Sequence, residues 1–216
     1  MSAIDTLIFD LDGTLVHTFP DVAIAVNAGR ARMDCAPLSD REIEKAIGPG
    51  KQAFLDALLP GASSADQSIF LGHFRDHYTA HCLDNTRLYN GIEAVLDSAE
   101  GCRLAVATNK PRATSTKILD GLGVLHRFEL LLGPDDVAQA KPHPEMIQKI
   151  LSRFSVAPES AVMIGDTAND MRAGSAAGTA TAAAFWGYGH RDELKTHQPD
   201  FPLEAPVDIH HIFSHK

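Results

Sequence analysis

Asp10 and Asp12 lie two residues apart, directly after the apolar run Thr6-Leu-Ile-Phe9 and before Gly13 and Thr14. Two carboxylates at the end of a strand can divide the work of a nucleophile and a proton-transfer group, and Gly13 lets the backbone approach a ligand. The same residue types also make an ordinary solvated turn. An EF-hand loop is excluded, because Thr14 and Leu15 stand where a third oxygen ligand and an essential glycine are needed. A second pair, Asp166 and Asp170, follows Ala161-Val-Met-Ile164 and Gly165. Alone, these two acids would cap a helix and complement its dipole. Brought to one point with the first pair, four carboxylates would repel and raise one another's pKa values. A hard divalent cation resolves that repulsion. An oxygen donor set favours Mg2+ over zinc, for which a Cys/His set is missing.

Two further junctions carry polar groups. Thr108 and Asn109 precede Pro111 and a helix whose free N–H groups can hold an anion, the alternative being a simple helix cap. Lys141, followed by Pro142, His143 and Pro144, is a cation on a stiffened loop that could neutralise phosphate and nucleophile together. A lone lysine is otherwise a solvated surface charge.

The elements that must position these groups are read from periodicity. Short apolar runs at 6–9, 103–107, 129–132, 161–164 and 179–184 suit strands covered on both faces. Helical patterns lie between the later ones, at about 112–122, 144–154 and 168–177, with Gly123 and Gly178 closing two of them. Alternating strands and helices predict an α/β fold with a doubly wound parallel sheet. The stretch from Pro20 to Cys82 has apolar residues at helical spacing, including Val22, Ile24, Val26, Ile43, Ile69 and Phe70. It predicts a small helical cap, residues 17–86, inserted into a core made of 1–16 and 87–216. All four chemical signals then fall at strand-to-helix junctions, the edge at which open α/β sheets bind ligands.

Composition narrows the partners. The chain has 216 residues, 44% hydrophobic and 22% charged, which is ordinary for a globular protein large enough to hold a core without disulfides. A formal charge of −9 with no basic run excludes nucleic acid held through its phosphates. Cys35, Cys82 and Cys102 match neither a zinc spacing nor a disulfide framework, which suits a reducing compartment. Asp5 precedes any apolar stretch, and no run reaches the roughly 18 residues of a membrane span. The expectation is a cytoplasmic monomer or homodimer with no nucleic-acid or membrane partner.

The chemical residues resemble the haloacid dehalogenase-like hydrolase superfamily. Its four motifs appear in order as Asp10-Leu-Asp-Gly-Thr14, Thr108, Lys141, and Gly165-Asp166 through Asp170. The resemblance covers nearly the whole chain, and the helical insert looks like that superfamily's first cap type. Asp10 through Val16, Pro20-Asp21, Tyr89-Asn-Gly91 and Thr108-Asn-Lys-Pro111 look most similar to the phosphoglycolate phosphatase branch. The resemblance implies that Asp10 attacks phosphorus to form an aspartyl-phosphate. Asp12 would protonate the leaving alcohol and later deprotonate the attacking water. Gly13, Thr108 and Asn109 would bind the phosphate, and Lys141 would balance charge around Asp10. Mg2+ would be held by Asp10, Asp12 through its carbonyl, Asp166 and Asp170. Asp12 also separates phosphatases from dehalogenases, since carbon–halogen cleavage needs no acid for its leaving group.

The resulting reading is Mg2+-dependent hydrolysis of a phosphate monoester, with 2-phosphoglycolate as the leading substrate. Another phosphoryl-transfer activity of the same machinery (sugar-phosphate phosphatase, pyrophosphatase or phosphosugar mutase) and a non-catalytic phosphate-binding protein are the alternatives. His17-Thr18 stands where the phosphoglycolate branch commonly has Asp-Ser, so His17 is either a substrate contact or a satisfied surface residue. The loop Ile47-Gly-Pro-Gly50 with Lys51 resembles a substrate-specificity loop, a plain turn being the alternative. His73, His77 and His81 form a stripe at four-residue spacing that no acid or thiol completes, and an exposed polar face opposite Phe70, Phe74 and Tyr78 is expected.

Overall fold

The computed structural model describes residues 4–47 and 50–213, Lys51 by its backbone alone. Gly48, Pro49 and the Lys51 side chain, part of the expected specificity loop, lie outside the described residues. The chain divides into two compact units, Met1–His17 with Arg87–Lys216, and Thr18–Thr86.

In the first unit, Thr6–Phe9 forms β1, and none of its four residues has accessible surface. Burial on both faces is what a central parallel strand requires. Phe9 is in register with Val106 of β4 (Arg103–Ala107) on one side and with Ile164 of β6 (Ala161–Gly165) on the other. β5 (Leu130–Leu132), β7 (Ala180–Ala184) and β8 (Phe201–Leu203) complete a parallel sheet in the order β5-β4-β1-β6-β7-β8. The chain winds outward from β1 in both directions, so the crevice at the carboxyl ends of β1, β4 and β6 is a topological switch point.

The connecting helices follow from their patterns. α7 (Glu145–Phe154) buries Met146, Ile147, Ile150, Leu151 and Phe154, one face at 3.6-residue period, against Ile8, Ala105 and Met163. α6 (Arg112–Gly121) begins after Pro111, and α8 (Ala168–Ala177) ends at Gly178 in the left-handed region. α5 (Ile92–Ser98) follows a two-stranded antiparallel ribbon of β2 (Val16–His17) and β3 (Arg87–Leu88). The ribbon and β8 are too short to register as apolar runs, and β8 carries Pro202 at the sheet edge, where a missing N–H is tolerated.

The second unit is helical: α1 (Phe19–Ala31), α2 (Asp40–Ala46), α3 (Lys51–Leu58) and α4 (Ser64–His81). Its core gathers Ala23, Val26, Ile43, Leu55, Leu58 and Phe70. Two of the apolar residues expected on its inner faces are exposed, Ile24 at 49% and Ile69 at 52%. Residues two apart on a helix do not share a face, so Val22 and Val26 turn inward together and Ile24 turns out. The histidine stripe also departs from expectation. Only His81 is exposed, while His73 and His77 are half-buried and line a cleft with Ala28, Arg32 and Asp76. His77 sits on the turn of α4 that packs toward α1, so its Nδ1 is buried. Among the described residues no helix is long and apolar enough to cross a membrane.

Asp21, in the first turn of α1, ties the two ends of this unit together. Its carboxylate accepts from the Asn85 backbone N–H at 3.0 Å, the Asn85 amide at 2.9 Å and the Thr86 N–H at 2.9 Å. Burial works to raise the Asp21 pKa, and the hydrogen bonds from Asn85 and Thr86 outweigh it, holding the group below the usual carboxylate range. Asp21→Ala leaves these donors without an acceptor and is expected to destabilise the unit by about 2 kcal/mol at pH 7 in urea denaturation. A depressed carboxylate stabilises the folded state above its unfolded pKa of about 3.9, so wild type and variant should converge as pH falls below that value. A gap that persists undiminished at pH 2 would refute the ionic part of the argument.

Candidate active site

Asp10 leaves the sheet where its N–H donates to the Ile164 carbonyl at 2.8 Å, level with the end of β6. Thr108 stands at the same edge, its N–H donating to the Leu132 carbonyl at 3.1 Å. The neighbouring strand ends therefore deliver Asp10, Thr108 and Asp166 side by side. Asp170 arrives one turn into α8, where its Oδ2 accepts from the Thr167 N–H at 3.0 Å and from the Thr167 hydroxyl at 2.6 Å. The capping role open to Asp170 from sequence is thus real, and it occupies one oxygen. The other bonds the Lys141 ammonium.

Asp10, Asp166 and Asp170 are buried, and one oxygen of each lies within 4.8 Å of the others. Lys141, 5% exposed, stands among them with its ammonium 3.0 Å from Asp10 Oδ1. That is ion-pair distance off the hydrogen-bond direction, so Asp10 Oδ1 is a buried oxygen without a hydrogen bond. Burial raises the Asp10 pKa, Lys141 pulls it down, and Asp170 and Asp12 push it up again, to about 6. Burial, with Asp10 and Asp170 adding to it, holds the Asp166 carboxyl well above its usual range. Burial opposes the charge on Lys141, but Asp10 and Asp170 outweigh it and keep the ammonium protonated.

Three carboxylates facing one ammonium out of water form an unbalanced cluster whose members raise one another's pKa values. The donors are all oxygens, which suits a hard cation such as Mg2+ and not zinc. Asp166, Asp10 and Asp170 are the residues that could hold it.

Asp12 differs from expectation in one respect. Its carboxylate is outside this cluster and pairs with Lys110, whose ammonium lies 2.8 and 3.0 Å from the two oxygens. Asn109, expected to bind phosphate, is engaged elsewhere. Its amide donates to the Lys141 carbonyl at 2.8 Å and accepts from the Lys141 N–H at 3.0 Å, so it clasps the loop that carries Lys141. Thr108 is buried, its hydroxyl accepting from the Lys110 N–H at 3.1 Å. Gly13 adopts φ +81°, and a Cβ there would lie 2.1 Å from Asp166 Oδ2. Only glycine fits that close approach.

Sequence reasoning missed two contributors. Lys110 is one; its position two residues beyond Thr108 was the available signal. The other is the loop after β7, Phe185-Trp-Gly-Tyr-Gly189, which alternates aromatics with glycines. Trp186 Nε1 donates to the Thr14 carbonyl at 3.1 Å, and the Tyr188 N–H donates to Asp166 Oδ2 at 2.8 Å. The Thr14 hydroxyl holds Asp166 Oδ1 at 3.0 Å, so both oxygens of Asp166 are fixed. A Cβ on Gly187 would lie 2.2 Å from the Asp166 Cβ. His17 is half-buried, its ring centroid 5.6 Å from that of Tyr89 and 6.0 Å from that of Tyr188.

Comparison with known proteins adds to this geometry. The model of the haloacid dehalogenase-like hydrolases matches residues 7–184. A phosphoglycolate phosphatase from Colwellia psychrerythraea is 34% identical, over 93% of each chain. One from Aquifex aeolicus is 35% identical, over 94% of this chain and 93% of its own. The crystal structure of a predicted phosphoglycolate phosphatase from Haemophilus somnus superposes with a TM-score of 0.91 at 27% identity, covering 98% of this chain and 99% of that one.

Proposed function

The chain belongs to the haloacid dehalogenase-like hydrolases and is a phosphatase, and from that premise we propose that it hydrolyses 2-phosphoglycolate through an aspartyl-phosphate on Asp10, with Mg2+ as cofactor. The observation that carries this reading is the buried cluster of Asp10, Asp166 and Asp170 around Lys141.

In the first step an Asp10 oxygen attacks phosphorus while the ester P–O bond breaks and Asp12 gives its proton to the departing alkoxide. In the second, Asp12 takes a proton from water, the water oxygen attacks the same phosphorus, and the bond to Asp10 breaks to release phosphate. Lys110 orients Asp12 for both transfers. Thr108 and the Gly13 backbone bind phosphoryl oxygens, and Asn109 positions Lys141. Asp10, Asp166 and Asp170 would hold Mg2+, which would supply charge neutralisation for the phosphoryl group. Uncatalysed monoester hydrolysis is among the slowest of reactions, so charge stabilisation must provide much of the acceleration. Residues 18–86 serve as the cap. The protein acts in the cytoplasm, where its three cysteines, none of them in a disulfide, stay reduced, as a monomer or homodimer on a small phosphorylated metabolite.

The test is phosphate release, with and without Mg2+, from 2-phosphoglycolate, sugar phosphates, nucleotides and pyrophosphate. Mg2+-dependent release dominated by 2-phosphoglycolate is expected, and no release from any ester sinks the proposal. Mg2+ should also raise Tm more at pH 7.5 than at pH 5. Carboxyls with raised folded-state pKa values destabilise the metal-free protein as pH rises through about 6, the value for Asp10, and a bound cation relieves this.

A further inference from the structure

The loop after β7 runs over Asp166 itself. A Cβ on Gly187 or on Gly189 would overlap that residue, so the loop backbone lies against it with no side chain between. Two donors leave this loop for different targets. The Tyr188 N–H goes to Asp166 Oδ2 at 2.8 Å, and the Trp186 indole crosses to the turn after β1, where Nε1 donates to the Thr14 carbonyl at 3.1 Å. Thr14 in turn gives its hydroxyl to Asp166 Oδ1 at 3.0 Å. Trp186, Thr14, Asp166 and Tyr188 thus close a ring that straps the end of β6 between its sheet neighbours β1 and β7.

The chemical steps use none of these supports, yet each bears on how Asp166 would hold a cation. One Asp166 oxygen lies within 4.8 Å of an oxygen of Asp10 and of Asp170, and the ring fixes both Asp166 oxygens. A carboxylate oxygen has two lone pairs, so one donor on each orients the group and leaves capacity for a cation. The turn after β1 makes its own backbone bonds to the Leu11 and Val16 carbonyls. The Thr14 carbonyl is held instead by the indole, which makes Trp186 the fastening of the Thr14 arm. Resting on the reading of Asp10, Asp166 and Asp170 as the residues that hold Mg2+, we propose that Trp186 is a positioning residue for the metal site. Its N–H fixes Thr14, Thr14 fixes Asp166, and the closed ring sets the affinity for Mg2+. Partners that orient a metal ligand from behind govern affinity by about 10- to 100-fold.

The experiment measures Mg2+ binding by titration calorimetry in wild type, Trp186→Phe, Trp186→His and Thr14→Val, with a metal-free melt to show that each is folded. Phe keeps a large ring and removes the donor. His is smaller, but its Nε2–H can take the place of the indole N–H in the five-membered ring. Trp186→Phe should weaken Mg2+ binding about tenfold, and Trp186→His should recover most of that loss, the reverse of what a packing role predicts. Thr14→Val removes the hydroxyl at nearly constant shape. It should lose at least about tenfold, and it carries the test if the Trp186 variants do not fold. Unchanged affinity in Trp186→Phe, or in Thr14→Val where that variant carries the test, overturns the proposal and leaves the Mg2+ reading intact. So does a Trp186→His that binds Mg2+ no better than Trp186→Phe. If wild type binds no Mg2+, the cofactor reading fails and takes this inference with it.

Discussion

Asp10→Asn is expected to lower kcat for phosphate release by roughly 10⁴-fold or more, because it removes the nucleophile from a two-step displacement and an amide cannot form the acyl phosphate. The fold should survive. Asn has nearly the same volume, and Asp10 Oδ1 accepts no hydrogen bond that the structure depends on. Neutralising this position also relieves repulsion within the carboxylate cluster, so Tm without metal should be unchanged or higher near pH 7. Steady-state kinetics beside a thermal melt separates the two effects. A variant retaining more than a few per cent of wild-type turnover would falsify the assignment of Asp10.

Lys141→Met should affect both activity and stability. Met keeps the volume of a stem that is buried in the core of the site and removes only the charge. With the ammonium gone, negative charge developing around phosphorus and Asp10 loses its fixed counter-ion, at an expected cost of about 10²–10³ in kcat. Asp10 and Asp170 are also left buried without compensation. Removing one partner of such a pair costs about 3–5 kcal/mol when the remaining charge stays ionised. The carboxyls escape part of that cost by taking up protons, which raises their folded-state pKa values further. Folded carboxyls with raised pKa values bind protons more tightly than unfolded ones, so the deficit should shrink as pH is lowered from 8 to 5. Denaturation measured across that range, with kinetics at pH 7.5, checks both halves. A change in KM alone would reduce Lys141 to a substrate-binding role.

The parts of this molecule that could be read from sequence are those set by local repetition. β1, β4 and β6 show themselves because each is a run buried on both faces, and the heptad-like face of α7 because five apolar residues recur at helical period. Asp10, Asp166 and Asp170 were visible for the same reason, since their place at strand ends is inherited from those runs. Contacts made across long sequence separations leave no such mark. Lys110 reaches Asp12 from 98 residues away, and Trp186 reaches Thr14 from 172. The Asn109 amide looks the same in sequence whether it faces a ligand or the Lys141 backbone. Ile24 was misplaced because apolar character was counted without its angular position, and His77 because the face of α4 turned toward α1 is wider than its aromatic stripe.

Asp170 has a consequence for how divergent members of such a lineage are to be interpreted. One of its oxygens starts a helix and the other serves the reaction centre, so selection for folding and selection for turnover act on the same carboxylate in the same direction. A descendant that abandoned the chemistry would keep this acid for its helix. Retention of Asp170 is therefore poor testimony to activity, and a substitution at Asp10, whose Oδ1 accepts no hydrogen bond and faces Lys141 of the reaction centre, is the change that marks a retired enzyme.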